Sequence, residues 1–414
     1  MTVSQVVVRR FDVQVQEARL LSHVRGLLRT PETSPETKQV GASLLEVRLE
    51  GSATAVSDVV TAVARTPGVR IHHDRVRLAQ TARDSESRGP DSVFPDRRTL
   101  LGIGLKPGPP PTARPAEPTV VAVVDSGMMV THPDLKGHLW RGTVKGQPRE
   151  YGARCIGGDD GPDIGDQDGH GTRLAGSILT AAAGGQGIQL MAVKFFDADA
   201  LPGPVNGAAA ITFATEAAPK AHIINLSWDL ALGSVDLERA IQKACDGGAL
   251  VVIAAGNSGT DNDLVRTIPA HYRKLCPPQI ITVMATDRYN EKASFSNYGA
   301  RTVDLAAPGV DIVTTRASVS GASGDDVARY PLLYRRLRSY NGTSAAAALV
   351  SGAAALLRSH NPSLSAVHLK DLLCGSVQTK PSLGSKCITD GLLDIEAAKA
   401  GRVRPQSGSP AWRR

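Results

Sequence analysis

The chain has 414 residues, long enough for one large α/β domain and a smaller unit, and its 42% hydrophobic residues and 41 glycines are an ordinary globular balance. Its net charge of +7 is spread along the chain without a long Lys/Arg tract, which indicates solubility and not nucleic-acid binding. No apolar run approaches the about 20 residues of a membrane helix. The valines near the start are followed directly by arginines, unlike a signal peptide, so we expect a cytoplasmic protein with no nucleic-acid or membrane partner.

The cysteines are scattered along the chain and lack the spacing of metal ligands. An odd number of widely separated cysteines suits a reducing compartment, in which free thiols are the expected state. The five are Cys155, Cys245, Cys276, Cys374 and Cys387.

The sequence pattern over residues 1–80 predicts a small α+β region. Apolar and charged residues alternate over 43–50, as in a half-buried strand. Valines at helical spacing over 56–63, a Pro-Gly stop and an apolar stretch over 69–78 then indicate a helix and a second strand. Together these segments predict a β-α-β-like unit.

The main domain is predicted over residues 118–400. It lies between a Pro- and Gly-rich linker over 81–117 and a tail over 401–414. Continuous apolar runs alternate here with helical patterns, which is typical of a doubly wound, mostly parallel α/β sheet with helices on both faces. Functional residues of such folds gather at the carboxyl ends of strands. The predicted strands cover 119–124, 188–196, 222–228, 250–255 and 279–285, and the predicted helices cover 171–183, 206–217 and 235–245.

Ser344 follows a Gly-rich turn and precedes the small and apolar run 345–357, which predicts a helix buried on all sides. A serine at this point is a candidate nucleophile, because a rigid helix would hold its hydroxyl in place. The alternative is an ordinary helix cap, since Ser and Thr are common in that position. A nucleophilic serine requires a histidine base and an acid that orients it.

Three further residues supply the remaining parts of an acyl-transfer site. Asp125 ends a buried strand, His170 lies in a Gly-flanked turn that enters a helix, and Asn257 lies in a Gly-rich turn after another strand. Taken singly, these are also a turn residue, a helix cap and a left-handed turn former. Together with Ser344 they provide an acid, a base, an amide donor and a nucleophile, in the chain order Asp, His, Ser.

These residues lie in segments that resemble the motifs of the subtilisin-like serine proteases. Asp125-Ser126-Gly127 is similar to the family's aspartate motif, Gly169-His170-Gly171-Thr172 to its histidine motif and Asn341-Gly342-Thr343-Ser344 to its serine motif. Gly256-Asn257 is similar to its oxyanion-hole motif. The resemblance covers about residues 118–400, and further similar segments are 132–135, 224–227, 293–299, 305–310 and 391–394.

The resemblance implies a serine endopeptidase that acts on polypeptides through an acyl-enzyme. It implies that Asp125, His170 and Ser344 form the catalytic triad and that Asn257 contributes to the oxyanion hole. It also implies that two segments form the walls of the pocket for the residue before the cut. Their residues are Ser227, Trp228 and Asp229 on one wall, and Ala254, Ala255 and Gly256 on the other.

Asp229 stands where the family usually has glycine, so a carboxylate in the pocket would favour basic residues before the cut. The alternative is that Asp229 points to solvent. Further departures are Ala345 and Ala348, in place of the family's Met and Pro, and Arg173, in place of a second His. None of these changes removes a group that the chemistry needs.

We predict no cofactor and no metal site. The short segment 181–188 carries one side-chain oxygen donor where many relatives have a calcium loop, and calcium takes six to eight oxygen ligands. The acidic run over 159–168 could bind a cation, but a solvated loop is the interpretation we adopt.

The sequence is also compatible with a second function, in which the chain keeps the protease fold as a catalytically silent binding or scaffold protein. Residues 1–80 resemble a propeptide in character but could also be a regulatory unit, and either could contact the peptidase domain. The Arg- and Tyr-containing segment 317–339 could form a rim or lid on the cleft, or be a surface insertion without a role.

Overall fold

A computed structural model of the full chain shows two β-sheet units. It describes residues 6–15, 20–29, 33–41, 44–52, 59, 62–63, 69–78, 117–157, 159–182, 187–197, 202–230, 232–315, 317, 339–403 and 411–413. The predicted linker up to residue 116, most of the predicted rim over 317–339 and residues 404–410 of the tail lie outside the described residues. The domain boundaries therefore stay predictions.

The N-terminal unit is a four-stranded antiparallel sheet with the order β2-β3-β1-β4. The predicted strands over 43–50 and 69–78 are present, and Val59, Ala62 and Val63 between them are helical. Its elements are β1 (Val6–Val15), α1 (Leu20–Leu28), β2 (Thr33–Gly41), β3 (Leu44–Ser52) and β4 (Val69–Leu78).

The predicted β-α-β unit is split by a strand that the sequence did not reveal. Strand β1 pairs with both β3 and β4, so those two strands run in the same direction without touching. Val6–Val15 reads Val-Val-Val-Arg-Arg-Phe at its start, without the period of two that marks a half-buried strand. The pattern therefore gave no reason to assign it.

The main domain contains a ten-stranded sheet in the order β17-β18-β14-β13-β12-β11-β5-β10-β8-β9. All neighbours are parallel except the pairs at the two edges, β8 with β9 and β17 with β18. The strands are β5 (Thr119–Asp125), β8 (Gly152–Ile156), β9 (Asp159–Gly161), β10 (Ile188–Lys194), β11 (Ile223–Leu226), β12 (Leu250–Ala254), β13 (Ile280–Thr286), β14 (Leu305–Pro308), β17 (Gln378–Thr379) and β18 (Gly391–Leu392).

Two short ribbons and six helices complete the described part of this domain, together with short 3₁₀ turns. The ribbons pair β6 (Arg141–Val144) with β7 (Gln147–Glu150), and β15 (Ile312–Val313) with β16 (Ser339–Tyr340). The helices are α2 (His170–Ala181), α3 (Pro204–Glu216), α4 (Val235–Asp246), α5 (Thr343–His360), α6 (Ala366–Gly375) and α7 (Ile395–Lys399).

Helices cover both faces of the sheet, as predicted. One hydrophobic core contains α2 and α5, and the other contains α3 and α4. The parallel strands β5, β10, β12 and β13 are buried almost throughout because both faces are covered. The doubly wound fold and the five predicted strands and three predicted helices are confirmed.

Small residues bring the two helices that carry His170 and Ser344 into close contact. Every residue of α5 from Thr343 to Leu357 is buried, which confirms the predicted all-round burial. A Cβ atom on Gly352 would lie 2.2 Å from the carbonyl oxygen of Ile178 in α2, so any side chain here would push the helices apart.

Strands β5 and β11 are neighbours in the sheet but are not consecutive in the chain. From β5 the chain first builds β8 to β10 on one side and then crosses to β11 on the other. Such a switch point opens a crevice at the carboxyl ends of the two strands, where ligands of open α/β sheets bind. Asp125 ends β5 and Ser227 follows β11, so both lie at this crevice.

Candidate active site

Asp125 is fully buried, and its carboxylate is hydrogen-bonded within the switch-point crevice. Its Oδ1 accepts hydrogen bonds from the backbone N–H of Ser126 at 2.8 Å and from Nδ1 of His170 at 2.7 Å. A buried carboxylate needs such donors to remain charged. Asp125 is therefore placed to hold the imidazole and to stabilise its charged form.

His170 is the first residue of α2, between two glycines that its position requires. Gly169 precedes the helix with a left-handed φ of +82°. A Cβ atom on Gly171 would lie 2.1 Å from the carbonyl oxygen of Gly127, next to Asp125. The glycines thus allow the histidine loop to pack directly against the aspartate loop, which produces the short contact between Asp125 and His170.

The hydrogen bond from Nδ1 to Asp125 sets the tautomer of His170. With the proton on Nδ1, Nε2 is left as an acceptor and can act as a base. Burial disfavours the charged imidazole, but the charge and hydrogen bond of Asp125, with a smaller contribution from Asp168, raise the pKa of His170 above its ordinary value of 6.5. The Arg173 charge acts in the opposite direction.

Ser344 is the second residue of α5 and is buried beside the end of β11. Its Oγ donates to the carbonyl oxygen of Ser227 at 3.0 Å, and the Oγ of Ser227 donates to the carbonyl oxygen of Ser344 at 3.1 Å. This reciprocal pair attaches the start of α5 to the end of β11. The Ser344 hydroxyl is therefore held beside the crevice without a direct hydrogen bond to His170.

Tyr340 lies between His170 and Ser344, a position that the sequence did not suggest. Its hydroxyl is hydrogen-bonded to Nε2 of His170 and lies next to the side chain of Ser344. Burial raises the pKa of Tyr340, so the phenol stays neutral and donates its proton to Nε2. The Arg173 guanidinium lies 5.7 Å from the centre of the Tyr340 ring, within the range of a cation–π contact.

Asn257 follows β12 and faces the serine turn. Its Oδ1 accepts from the backbone N–H of Thr343 at 2.9 Å and from the Thr343 hydroxyl at 3.0 Å. Because the carbonyl end of the amide is occupied in this way, its NH₂ end is directed away from Thr343. Asn257 is half-buried and packs against the turn that carries Ser344, and its role as an oxyanion donor stays a prediction.

One residue of each predicted pocket wall contacts the turn that carries Ser344. Ser227 and Gly256 both contact the serine turn: Ser227 through Ser344, and Gly256 through its N–H, which donates to the Thr343 hydroxyl at 3.2 Å. Ala254 and Ala255 are buried in the core under α5. Their role in substrate binding stays a prediction.

The side chain of Trp228 does not line the crevice. Its indole ring packs against Phe195 in the core on the other face of the sheet and donates to the carbonyl oxygen of Val124 at 2.9 Å. Trp228 can therefore contribute to a pocket wall only through its backbone. Asp229 is half-buried, which neither excludes it from the pocket nor places it there, so its effect on specificity also stays a prediction.

The acidic run includes one residue with an evident internal role. Asp166 bonds to residues on both sides of the Asp125–His170 pair, while Asp163 accepts from the backbone N–H of Gly165 at 3.1 Å. Among the described residues, no group of three or more His, Cys, Asp or Glu side chains has the arrangement of a metal site.

Comparison with known proteins agrees with this architecture. Residues 117–391 match the subtilase family. Subtilisin BL from Lederbergia lenta is 36% identical over 313 residues, which cover 73% of this chain and 93% of that protein. Subtilisin Savinase from the same organism is 35% identical over 308 residues, with the same coverage of 73% and 93%.

A solved structure shows the same fold. The crystal structure of a cold adapted subtilisin-like serine proteinase aligns with a TM-score of 0.54 over 72% of this chain and 97% of that chain, at 23% sequence identity. The family match and the two subtilisins confirm the resemblance noted in the sequence motifs, and this structure confirms the fold.

Proposed function

The chain belongs to the subtilase family and is a serine endopeptidase, and on this basis we propose that it cleaves polypeptides through Asp125, His170 and Ser344. The observation that best supports this assignment is the 2.7 Å contact between Asp125 and Nδ1 of His170. It leaves Nε2 as an acceptor, and Nε2 contacts Tyr340, four residues before Ser344.

The first step forms an acyl-enzyme. The Oγ of Ser344 attacks the substrate carbonyl carbon while its proton passes to Nε2 of His170. The carbonyl oxygen becomes an oxyanion, which the Asn257 amide and the backbone N–H of Ser344 stabilise. The imidazolium then gives its proton to the leaving amine as the C–N bond breaks, and Asp125 stabilises the positive ring throughout.

The second step repeats this chemistry with water. His170 takes a proton from the water, whose oxygen attacks the acyl carbon, and returns it to the Oγ of Ser344 as the ester bond breaks. The enzyme is regenerated and the second product is a carboxylic acid.

Two local movements must precede the first step. The Tyr340 hydroxyl has to leave Nε2 of His170, since that nitrogen cannot accept the serine proton while it accepts the phenol proton. The Ser344 hydroxyl has to turn from the Ser227 carbonyl oxygen towards His170. Both are rotations of side chains, which take place in picoseconds to nanoseconds where exposed and more slowly where buried.

We also propose that the protein works in a reducing compartment such as the cytoplasm. All five cysteines are buried and none is in a disulfide. Burial raises the pKa of Cys155 to about 12 and that of Cys387 to about 11, so these thiols stay protonated and unreactive near neutral pH.

Among the described residues no helix is both long and apolar enough to cross a membrane.

Hydrolysis of an unfolded protein substrate by the purified full-length chain tests the proposed function. We expect the wild type to generate new amino termini, and Ser344→Ala and His170→Ala to generate none above background. Ser363→Ala is the control, because Ser363 is exposed and lies outside the crevice. A folded wild type without hydrolysis, or an active Ser344→Ala variant, would contradict the proposal.

A further inference from the structure

Asp166 lies four residues before His170, and its half-buried carboxylate accepts four hydrogen bonds. Oδ1 accepts from the hydroxyl of Ser126 at 2.9 Å and from the backbone N–H of Gly169 at 2.7 Å. Oδ2 accepts from the backbone N–H and the hydroxyl of Thr172, at 2.8 Å and 2.5 Å. All four accepting positions of the carboxylate are thus in use.

These donors flank both members of the Asp125–His170 pair. Ser126 directly follows Asp125, while Gly169 directly precedes His170 and Thr172 follows it by two residues. One carboxylate therefore connects the end of β5 to the first turn of α2. These are the two segments that the 2.7 Å contact between Asp125 and His170 also joins.

The Ser126 and Thr172 hydroxyls, which donate to Asp166, also accept hydrogen bonds from the backbone of the opposite loop. The Ser126 hydroxyl, which donates to Asp166, also accepts from the N–H of Gly171 at 3.0 Å. The Thr172 hydroxyl likewise accepts from the N–H of Met129 at 3.0 Å. These two hydrogen bonds join the loops directly, and both of the hydroxyls that accept them donate to Asp166.

We propose that Asp166 is a positioning residue for peptide hydrolysis, which sets the distance and angle between Asp125 and His170. This inference rests on the proposed function, because it concerns the alignment of the same acid and base. Only a carboxylate can accept all four bonds. An asparagine in its place would present an NH₂ group either to the Ser126 and Gly169 donors or to the two Thr172 donors.

The effect on His170 should be visible in its titration. The charged or titratable groups that act on the imidazole are Asp125 from β5, Asp168 from the loop before α2, Arg173 from α2 and Tyr340 from β16. Asp125 is the strongest of those that favour protonation, and burial opposes it. If Asp125 and His170 separate, protonation becomes harder and the acidic limb of the activity profile moves to lower pH.

The test compares Asp166→Asn and Asp166→Ala with wild type on a short peptide substrate, measuring kcat, KM and the pH dependence of kcat/KM. We expect kcat to fall by about 10- to 100-fold, because misplacement of a catalytic group by about 1 Å has an effect of this size. KM should stay within about twofold and the acidic limb should move to lower pH. Asp166→Asn should be the milder variant, because it keeps two of the four acceptor positions.

Asp163→Ala is the matched control, because Asp163 lies in the same acidic run, is exposed and accepts one hydrogen bond from its own loop. We expect this variant to keep wild-type kcat and pH dependence. The melting temperature of each variant shows whether a lower kcat comes from unfolding or from misalignment of Asp125 and His170. If Asp166→Ala does not fold, the comparison is made with Asp166→Asn alone.

The outcomes distinguish this inference from the proposed function. A wild type that does not hydrolyse peptides would overturn both. An active wild type whose folded Asp166 variants keep kcat would overturn the positioning role alone. A lower kcat with an unchanged acidic limb would also overturn it, since Asp166 would then stabilise the loops without setting the Asp125–His170 contact.

Discussion

The Tyr340 hydroxyl is hydrogen-bonded to Nε2 of His170, the ring nitrogen that receives the serine proton in the proposed mechanism. The two rings meet edge to face, with centroids 5.5 Å apart and an interplanar angle of 77°. Tyr340 is held there by its backbone pairing with Ile312 and by the Arg173 guanidinium over its ring. The base is thus occupied by a neighbouring side chain in the free protein.

Removal of this hydroxyl should make Ser344 react faster. Tyr340→Phe keeps the ring and its contact with Arg173 but removes the hydroxyl from Nε2. The hydrogen bond between Tyr340 and His170 then no longer has to break before His170 accepts the serine proton. A net value of about 0.5 to 1.5 kcal/mol for such a bond corresponds to about a 2- to 10-fold faster rate. The measurement is the second-order rate of acylation by a small ester substrate.

Tyr289→Phe is the control, because the Tyr289 side chain is exposed and its hydroxyl accepts a hydrogen bond from the neighbouring Arg288. It should leave the rate unchanged. A slower rate in Tyr340→Phe would show that the phenol assists proton transfer, and would contradict its description as a group that must leave.

The pH dependence should follow the titration of His170. The protonated ring cannot accept the serine proton, so activity is present above its pKa and is lost as the pH falls through it. Because Asp125 and Asp168 raise that pKa, we expect the midpoint of the acidic limb of kcat/KM above 6.5. Asp168→Asn should move the midpoint to lower pH, whereas Asp163→Asn should not move it. A midpoint below 6.5 in the wild type would contradict this assignment.

Asn257 should contribute through its amide donor. Loss of one oxyanion donor from a subtilisin lowers turnover by about 100- to 1,000-fold, and we expect a similar loss in kcat for Asn257→Ala. Asn257→Asp separates two roles, because it keeps the Oδ1 acceptor for Thr343 while it removes the NH₂ donor. Wild-type kcat in Asn257→Asp would show that Asn257 only positions Thr343.

The buried carboxylate of Asp304 should matter for stability and not for catalysis. It lies 3.0 Å from Nη2 of Arg273 and 2.7 Å from Nζ of Lys370, and all three side chains are buried. Asp304→Ala leaves two buried cations without their anion, which we expect to lower the free energy of unfolding by about 3 to 5 kcal/mol. Denaturant unfolding in a Ser344→Ala background measures this without self-digestion.

Asp236→Ala is the comparison for Asp304, because it breaks an exposed pair with Arg239. Exposed pairs are worth less than about 1 kcal/mol, so the unfolding midpoint should barely change. Equal effects of the two substitutions would contradict the importance of burial at Asp304.

The sequence predicted the parts of this protein that depend on short, continuous patterns. The central strands are unbroken apolar runs, so their existence and approximate ends follow from hydrophobicity alone. Asp125, His170, Asn257 and Ser344 stand in local motifs at strand or helix ends, which is why they could be named before any geometry was known.

The parts that the sequence did not reveal depend on contacts between distant segments. Tyr340 reaches His170 across 170 residues, and a tyrosine before a Gly-rich turn carries no sign of that contact. Asp166 was one acidic residue among several, and only its four donors distinguish it from its neighbours. Strand β1 lies in the centre of its sheet, yet its arginines interrupt the alternation that would have marked it.

The central claim is that Ser344 is a nucleophile activated by His170. A fluorophosphonate probe tests it on the purified full-length chain, because the probe reacts with a serine that has an active base beside it. We expect one labelled peptide that contains Ser344 in the wild type, and no label in folded Ser344→Ala or His170→Ala, while Ser363→Ala is labelled like the wild type. A folded wild type that takes up no label, or label that persists in Ser344→Ala, would contradict the claim.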